Sequence, residues 1–391
     1  MDQVAAKTIP LWRNVRILRI VGQVVFVAVL VFVLREMYLN ASFALTERGR
    51  DISYGYLDNR SGFSIKESLF RYSANQTLLR AFLVAVTNAM LVAFTGIVLA
   101  TILGVFIGIA RLSQNWLVRR IAQMYVEVIR NTPLLVQVIF WYVAVILSIP
   151  RIENSVSLGG LAYISNRGLA VPAVEGGSRF GAWWLFVLVG VATAALMWNW
   201  RKRVNERTGR PHFKVLTSAA VLLGFAVVGY GVLGDTFSVR LPAVGERGYT
   251  AGLRMSPEFG GVLVALVVYT AAFIGEIVRG SILAVSKGQK EAAQALGLTT
   301  GQQMRLVVLP QAMRIAIPPI NNQYLNLWKN TSLAFAIGFP EIINISTTMI
   351  NQGGHELETF SLVVLTYLAV SILVSAGMNV MNKLVALRGS A

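Results

Sequence analysis

The chain has 391 residues, of which 55% are hydrophobic and only 14% charged, against about a quarter charged in an ordinary soluble chain. Its net charge is +17, which in a soluble domain would suggest a nucleic-acid partner. Here the basic residues sit beside long apolar blocks, where they hold connectors on the cytoplasmic side of a membrane, and so little surface remains for water that nucleic acid is excluded as a partner. There is no cysteine, and His212 and His355 are far apart without ligand spacing. A disulfide framework, a metal site and a thiol nucleophile are therefore not expected.

Mean hydropathy is +0.62, concentrated in blocks that reach roughly 18 residues or more, enough to cross a bilayer core of about 30 Å as helix. In chain order, Lys7, Arg13, Arg16 and Arg19 precede the apolar run Ile20 to Leu34. The small-residue pattern Ser42-Phe43-Ala44 lies too far beyond that run, behind Arg35 and Glu36, to be a cleavage site, so an uncleaved first span over 17–35 is expected. Further spans are expected at 82–110, 121–148, 182–199, 215–234, 259–284, 310–342 and 359–381. Gly104-x-x-x-Gly108 in the second allows close helix approach, within the subunit or between subunits. Pro318-Pro319 predicts that the seventh is kinked or in two parts, because proline removes a backbone donor.

The connectors set an orientation. Loop 111–120 has Arg111, Arg119 and Arg120 and no acid; loop 200–214 has Arg201, Lys202, Arg203, Arg207, Arg210 and Lys214 against Glu206. Loop 285–309 and the tail are also mainly basic. The alternate connectors are acidic or mixed, with Asp51, Glu67, Glu153, Glu175, Asp235, Glu246 and Glu258 among them. Alternation over an even number of spans places both termini in the cytoplasm. The long loops 36–81 and 149–181, rich in Gly, Ser, Asn and Asp, then read as periplasmic excursions.

No G-x-x-x-x-G-K-[ST], H-E-x-x-H or G-x-S-x-G occurs, so no catalytic residue, bound nucleotide or enzyme activity is expected in this chain. The informative stretch is 286–310. Lys290 to Leu296 is a helix-forming run ended by Gly297, suited to a left-handed cap. Thr300 and Gln303 match a capping box opening a second short helix. On residues alone this is either a docking knob or an ordinary connector.

The spacing Glu291-Ala292-Ala293, Gly297, Val307 and Leu309-Pro310 resembles the EAA motif of ABC importer permeases, E-A-A-x3-G-x9-I-x-L-P, with Val for Ile. Arg130-Asn131-Thr132-Pro133-Leu134-Leu135-Val136-Gln137, Gly275-Glu276-Ile277-Val278-Arg279-Gly280 and Lys329-Asn330-Thr331-Ser332-Leu333 are similar to segments of the polar amino-acid permeases of the histidine/glutamine type. The resemblance covers about 80–148 and 259–385, five spans, and the enlarged layout looks like the larger subunit of general L-amino-acid permeases. It implies an all-α polytopic fold, the transmembrane domain of a type I ABC importer with about eight helices. The organisation would be an extra helix and loop in 1–79, core in 80–148, an insertion with two extra helices in 149–258, and core in 259–385 with the coupling loop at 286–310.

The resemblance further implies a translocation subunit for amino acids in the bacterial inner membrane, working by alternating access. Lys290, Glu291, Ala292, Ala293, Leu296 and Gly297 would seat in an ATPase subunit. Expected partners are two ATPases that bind ATP and magnesium, a second and different permease chain, a periplasmic binding protein, the amino-acid substrate and membrane lipid. The inserts would face lipid, or contact a partner subunit or the binding protein.

Ionisable groups inside spans are costly and usually functional. Arg130 lies about nine residues into its expected span, roughly 14 Å deep, Glu276 lies past the middle of the sixth, and Lys329 lies near the middle of the seventh. At a shared depth, Arg130 or Lys329 could take a carboxylate and Glu276 an ammonium. Asn131, Thr132, Asn330 and Thr331 would offer neutral hydrogen bonds. The alternatives are structural pairing of Glu276 with Arg279 or Lys329, and subunit contact. At the level of function the rivals are an ion-coupled secondary transporter, which often carries inverted repeats not seen here, and a membrane enzyme, for which no catalytic set converges.

Overall fold

The computed structural model describes residues 15–47, 52–208, 213–245 and 248–385. Lys7, Arg13, Asp51, Arg210, His212, Glu246 and Arg388 lie outside the described residues. Among the described residues six helices are long and apolar enough to cross a membrane, and with each of two bent pairs counted as one span the number is eight. They are α1 (Val15–Glu47), α2 (Leu78–Ala110), the pair α3 (Trp116–Asn131) and α4 (Leu134–Phe140, continued by a π-helical turn Trp141–Ile146), α5 (Phe180–Thr208), α6 (Lys214–Leu233) and α7 (Pro257–Leu283). After the short helices α8 (Lys287–Ala295) and α9 (Thr300–Gln303) come the broken span α10 (Leu309–Asn330) with α11 (Ile342–Gly353), and finally α12 (Glu356–Val385).

Helix starts follow local chemistry. Thr77 caps α2 by accepting from the Arg80 N–H, and Ser256 caps α7 by accepting from Phe259 N–H, with Pro257 supplying a preset φ in the first turn. The centre of the fold is α2 against α7, running side by side in the same direction. A Cβ at Gly104 would lie 2.7 Å from Ile274, and one at Gly108 would lie 2.8 Å from the Gly275 carbonyl. The Gly104-x-x-x-Gly108 stripe therefore packs inside the subunit. Around this pair the buried core takes in Val138 of α4, Leu327 and Trp328 of α10, Phe339, Ile345 of α11 and Val363 of α12. Trp328 Nε1 donates to the Tyr367 carbonyl and Thr101 hydrogen-bonds Tyr324, fixing α10 between α12 and α2.

Two elements stand apart. No described residue of α1 is buried. The α5–α6 hairpin packs on itself, with Phe225 over Gly190 and Phe186 over Gly229. Trp183, Trp184, Tyr230 and Phe237 cluster at one end of the hairpin. Trp200 lies at the other end, with Arg201 over its ring. Seventeen residues of helix from Trp183 to Trp200 span about 26 Å, close to the hydrocarbon thickness between two aromatic belts.

The expectation of a loop at 149–181 is corrected by a small β layer, which also takes in the connector 235–258. Strands β1 (Val156–Leu158), β2 (Ala162–Ser165), β3 (Gly168–Val171) and β8 (Leu253–Met255) form one antiparallel sheet in that order. β4 (Ala173–Gly176) pairs β5 (Phe237–Arg240), and β6 (Ala243–Gly245) pairs β7 (Gly248–Ala251). The two arms of the insertion thus close on each other beyond the α5–α6 hairpin, over a small core of Ile152, Ala170 and Tyr249. The strands have only three or four residues and lie among glycines, too short for a legible period of two.

On the same face, loop 52–77 is sewn to the starts of two helices, α7 and α12. Ser53 N–H donates to Glu358, the Tyr56 and Thr359 hydroxyls share a bond of 2.8 Å, and Ser256 Oγ donates to Glu67 at 2.5 Å. His355 stacks on Tyr56 at 4.3 Å. Burial pushes the Glu67 carboxyl from its ordinary 4.5 up to about 7, against the opposing pull of its two bonds from Ser256.

Of the two alternatives for Pro318-Pro319, the division into two parts at the prolines is overturned. Both prolines lie inside the continuous helix α10, and the break falls later, where a 3-10 turn over Thr331–Ile337, left-handed Gly338 and Pro340 turn the chain by 54° into α11. Proline's fixed φ is helical, so two lost hydrogen bonds can be carried by packing against α7 and α12.

Two outcomes check this architecture. Gly108→Val should cost about 1–3 kcal/mol through overpacking and lower the unfolding temperature in detergent, whereas Gly377→Ala, which meets nothing within 4 Å, should not. Glu67, protonated more readily folded than unfolded, contributes stability that is complete below about pH 4.5 and lost as pH rises through 7. Relative to E67Q, wild type should therefore lose unfolding temperature between pH 5 and 8; a pH-independent difference would contradict the buried carboxyl.

Candidate functional site

The first bent span sets the site. α3 is amphipathic, and at Asn131–Leu134 the chain turns by 105° into α4. Pro133 cannot donate, and Gln137 closes the gap by donating Nε2–H bonds to the carbonyls of Ile129 and Thr132 at 2.9 and 3.0 Å. Counting residues along 121–148 as one straight helix therefore overstates the depth of Arg130.

The turn delivers Arg130 and Asn131 to a polar cavity of about 390 Å³ between α3, the end of α2 and α7. Its walls are Arg111, Val126, Glu127, Arg130, Asn131, Phe273 and Glu276. Arg130 lies over the Phe273 ring at 4.9 Å, a cation–π contact. Glu276 is held on both sides, by Arg111 and by Arg279 at 2.6 Å. Arg111 is 13% exposed and Glu276 28%, so the pair is only partly screened. Glu127 accepts from Gln123 at 2.7 Å. Glu276 is seven residues from the end of α7, about 10 Å, which puts the cavity near the face carrying α8 and not at the midplane.

The shared depth expected for Lys329 is not found. Leu327 packs where a Gly96 side chain would be, and Arg111 lies fifteen residues further along α2, about 22 Å. Lys329 is exposed, Asn330 half-buried, and buried Thr331 donates to the Trp328 carbonyl at 2.8 Å. Arg130, Asn131 and Glu276 thus share one cavity, while Thr132, Lys329, Asn330 and Thr331 do not line it. Arg111, Glu127 and Phe273 belong to it without having been singled out; Arg111 had been read as a loop charge because it closes α2.

The stretch 286–310 folds as a helix–turn–helix knob. α8 ends at Ala295, Gly297 is left-handed at φ 73°, and Thr299 with Gln302 forms the capping box of α9. The box falls one residue before the Thr300–Gln303 pair expected, since the chain is still extended at Thr299 after the glycine turn. Val285, Val308 and Ala312 form the base of the knob. Ala293 is buried and Lys290 half-buried, while Glu291, Ala292 and Gly297 are exposed and Leu296 stands 80% exposed at the tip.

A polytopic helical chain with broken spans, a charged cavity between them and a projecting knob has the form of a transport subunit. Residues 254–388 match the family described as binding-protein-dependent transport system inner membrane component. The chain is 40% identical over 365 residues to the general L-amino acid transport system permease protein AapQ of Rhizobium johnstonii, covering 93% of this chain and 91% of that one. It is 37% identical over 366 residues to the putative amino-acid ABC transporter permease protein YhdX of Escherichia coli, covering 93% of each. Coverage this complete leaves no room to skip 149–258, so these relatives carry the insertion too. A solved amino acid ABC transporter with histidines overlays with a TM-score of 0.47 at 18% identity, covering 78% of this chain and 94% of that one. The chain belongs to the ABC importer permease family, the binding-protein-dependent inner membrane components. It is a multi-pass transport component and not an enzyme, and the ion-coupled secondary transporter reading falls away.

Proposed function

We propose that the chain is a permease subunit of an ATP-driven importer for amino acids, probing its substrate at the cavity of Arg130, Asn131 and Glu276. The observation that carries the reading is the exposed knob with Leu296 at its tip, in a chain that shares 40% of its residues with a general L-amino acid permease. The knob docks an ATPase subunit through Lys290, Glu291, Ala292, Ala293, Leu296 and Gly297. ATP and magnesium are bound by that ATPase, since this chain has no phosphate loop. A substrate-binding protein delivers the amino acid to the opposite face, where the β layer lies.

The cavity suits a zwitterion. Arg130 offers a planar fork for a carboxylate. Glu276 reaches an ammonium only by loosening its hold on Arg111 and Arg279, so substrate arrival is coupled to rearrangement of this side-chain cluster at the ends of α2 and α7. Alternating access then consists of making and breaking this cluster while the α8 face moves with the ATPase. Thr132 follows Asn131 at the rim of the cavity, and Lys329 and Asn330 meet the substrate at another depth, with Thr331 buried behind them.

The second permease chain is a different polypeptide. The support is that α1 and the α5–α6 hairpin leave large apolar faces uncovered within one chain. With the knob in the cytoplasm, an even number of crossings puts both termini there. On the assembled complex, native mass spectrometry should find one copy of this chain per complex. In the cysteine-free background, a cysteine at Leu296 should label only from inside and one at Leu161 only from outside; two copies, or reversed labelling, would overturn the respective statement.

For the cavity, R130Q should lower uptake in proteoliposomes at least tenfold with little change in unfolding temperature, because its main contact is one ring. E276Q should lower both, since Arg111 and Arg279 then face each other without a counter-ion, at a cost approaching about 3 kcal/mol. Wild-type uptake and substrate-stimulated ATP hydrolysis in both variants would end the cavity's role.

A further inference from the structure

The face bearing the β layer holds a second charged opening that the permease reading does not use. One lobe, of about 200 Å³, is lined by Lys66, Glu67, Arg167, Tyr249 and Arg254. An adjoining lobe, of about 230 Å³, is lined by Glu67, Ser256, Glu258, Asn344 and Thr348, with Gly338 and Pro340 of the broken span in its wall. Lys66, Glu67 and Ser256 belong to both lobes, so the two are continuous past the Glu67 carboxyl.

Its charges are unusual in two respects. Lys66, Arg167 and Arg254 come from three separate segments and converge on one lobe, on the face opposite the basic connectors, where orientation rules disfavour cations. And among the described residues no ion pair joins Glu67 to any of the three: its contacts are hydrogen bonds from Ser256 Oγ at 2.5 Å and Ser256 N–H at 3.4 Å. Arg254 donates to the Thr250 carbonyl and Tyr249 to Ser165, so neither is turned onto the carboxylate. Opposite charges facing one small cavity without touching leave room for a ligand that carries both signs.

We propose that this cleft is an entry site for the amino acid, in which Glu67 takes the ammonium and Lys66, Arg167 and Arg254 take the carboxylate groups, with a preference for acidic side chains set by the three cations that line the Glu67 lobe, while Glu258 lines only the adjoining one. The inference rests on the amino-acid reading above and adds a site and a substrate class to it. The ligand would lie against the Gly338–Pro340 break, at the outer end of a discontinuous span. Its ammonium would favour the charged form of Glu67, whose carboxyl burial pushes up to about 7. The charged and titratable groups facing Glu67 here are Lys66, Arg167, Arg254, Glu258 and Tyr249. Binding near pH 6.5 should therefore release a proton.

The test is calorimetric titration of the assembled complex in nanodiscs with L-glutamate, L-glutamine, propionate and propylamine. L-glutamate should bind at least tenfold more tightly than propionate or propylamine, and more tightly than L-glutamine. In E67Q that advantage over propionate should vanish together with proton release, read from two buffers of different ionisation enthalpy. In the double variant R167Q/R254Q, whose side chains are exposed and whose loss leaves the Ser256 contact intact, the preference for glutamate over glutamine should disappear. Unchanged titrations in both variants, with wild type still taking up amino acids, would overturn the entry site alone. A wild-type complex that neither binds nor takes up any of the amino acids would overturn the amino-acid reading itself.

Discussion

Lipid offers no hydrogen bonds, so every interruption of a spanning helix must be repaired from within the protein. Three buried polar side chains do this. Gln137, 4% exposed, donates to the Ile129 and Thr132 carbonyls across the first bend. Asn88, 1% exposed on α2, donates to the carbonyls of Pro340 at the second break and Glu67 in the outer loop, at 2.9 and 2.8 Å. Glu341, fully buried, caps α11 by accepting from the Ile343 and Asn344 N–H groups at 2.9 Å each. Each such group would cost several kcal/mol if left unsatisfied in an apolar medium. The rest of the architecture depends on these repairs, because without them neither span could bend.

The bends are where polar function becomes possible. A straight apolar helix presents only side chains, whereas a repaired break brings backbone polarity and charged residues into the protein interior without exposing them to lipid. The first bend ends α3 at Asn131 and so carries Arg130 to the cavity of Glu276. The second places Gly338 and Pro340 in the wall of the outer cleft. The two charged openings of the chain thus adjoin the two broken spans, and unbroken α2 and α7, locked together at Gly104 and Gly108, form the rigid reference against which both sit.

Much of this could be read from the residues. Six spans followed from apolar length, with the two bent pairs falling where two more were expected, and the left-handed Gly297 and the capping box were visible as local chemistry, the box displaced by one residue because T-T-x-Q-Q offers two equivalent registers. What escaped was whatever depends on neighbours. Pro318-Pro319 carries the stronger breaking signal, yet packing held that helix and the break moved to Gly338. Residue counting gave Arg130, Glu276 and Lys329 a common depth, which holds only for straight spans along the membrane normal. Glu67 reads in the sequence only as one more acid of an outer connector, because a carboxylate in a polar loop has no sequence feature that marks it as desolvated.

The extra segments gain a physical role from this arrangement. α1 and the α5–α6 hairpin contribute no residue to the buried core that joins α2, α7 and α10. Their connectors, by contrast, are tied tightly into it: loop 52–77 through Asn88, Ser256 and Glu358, and the insertion through β3 paired with β8 directly before α7. Lys66 and Glu67 come from the first of these connectors, and Arg167 and Arg254 from the second. These connectors therefore form an outer layer whose charged residues the core does not itself supply, and that layer meets the core at the start of α7, the helix whose other end carries Glu276 and leads into the knob.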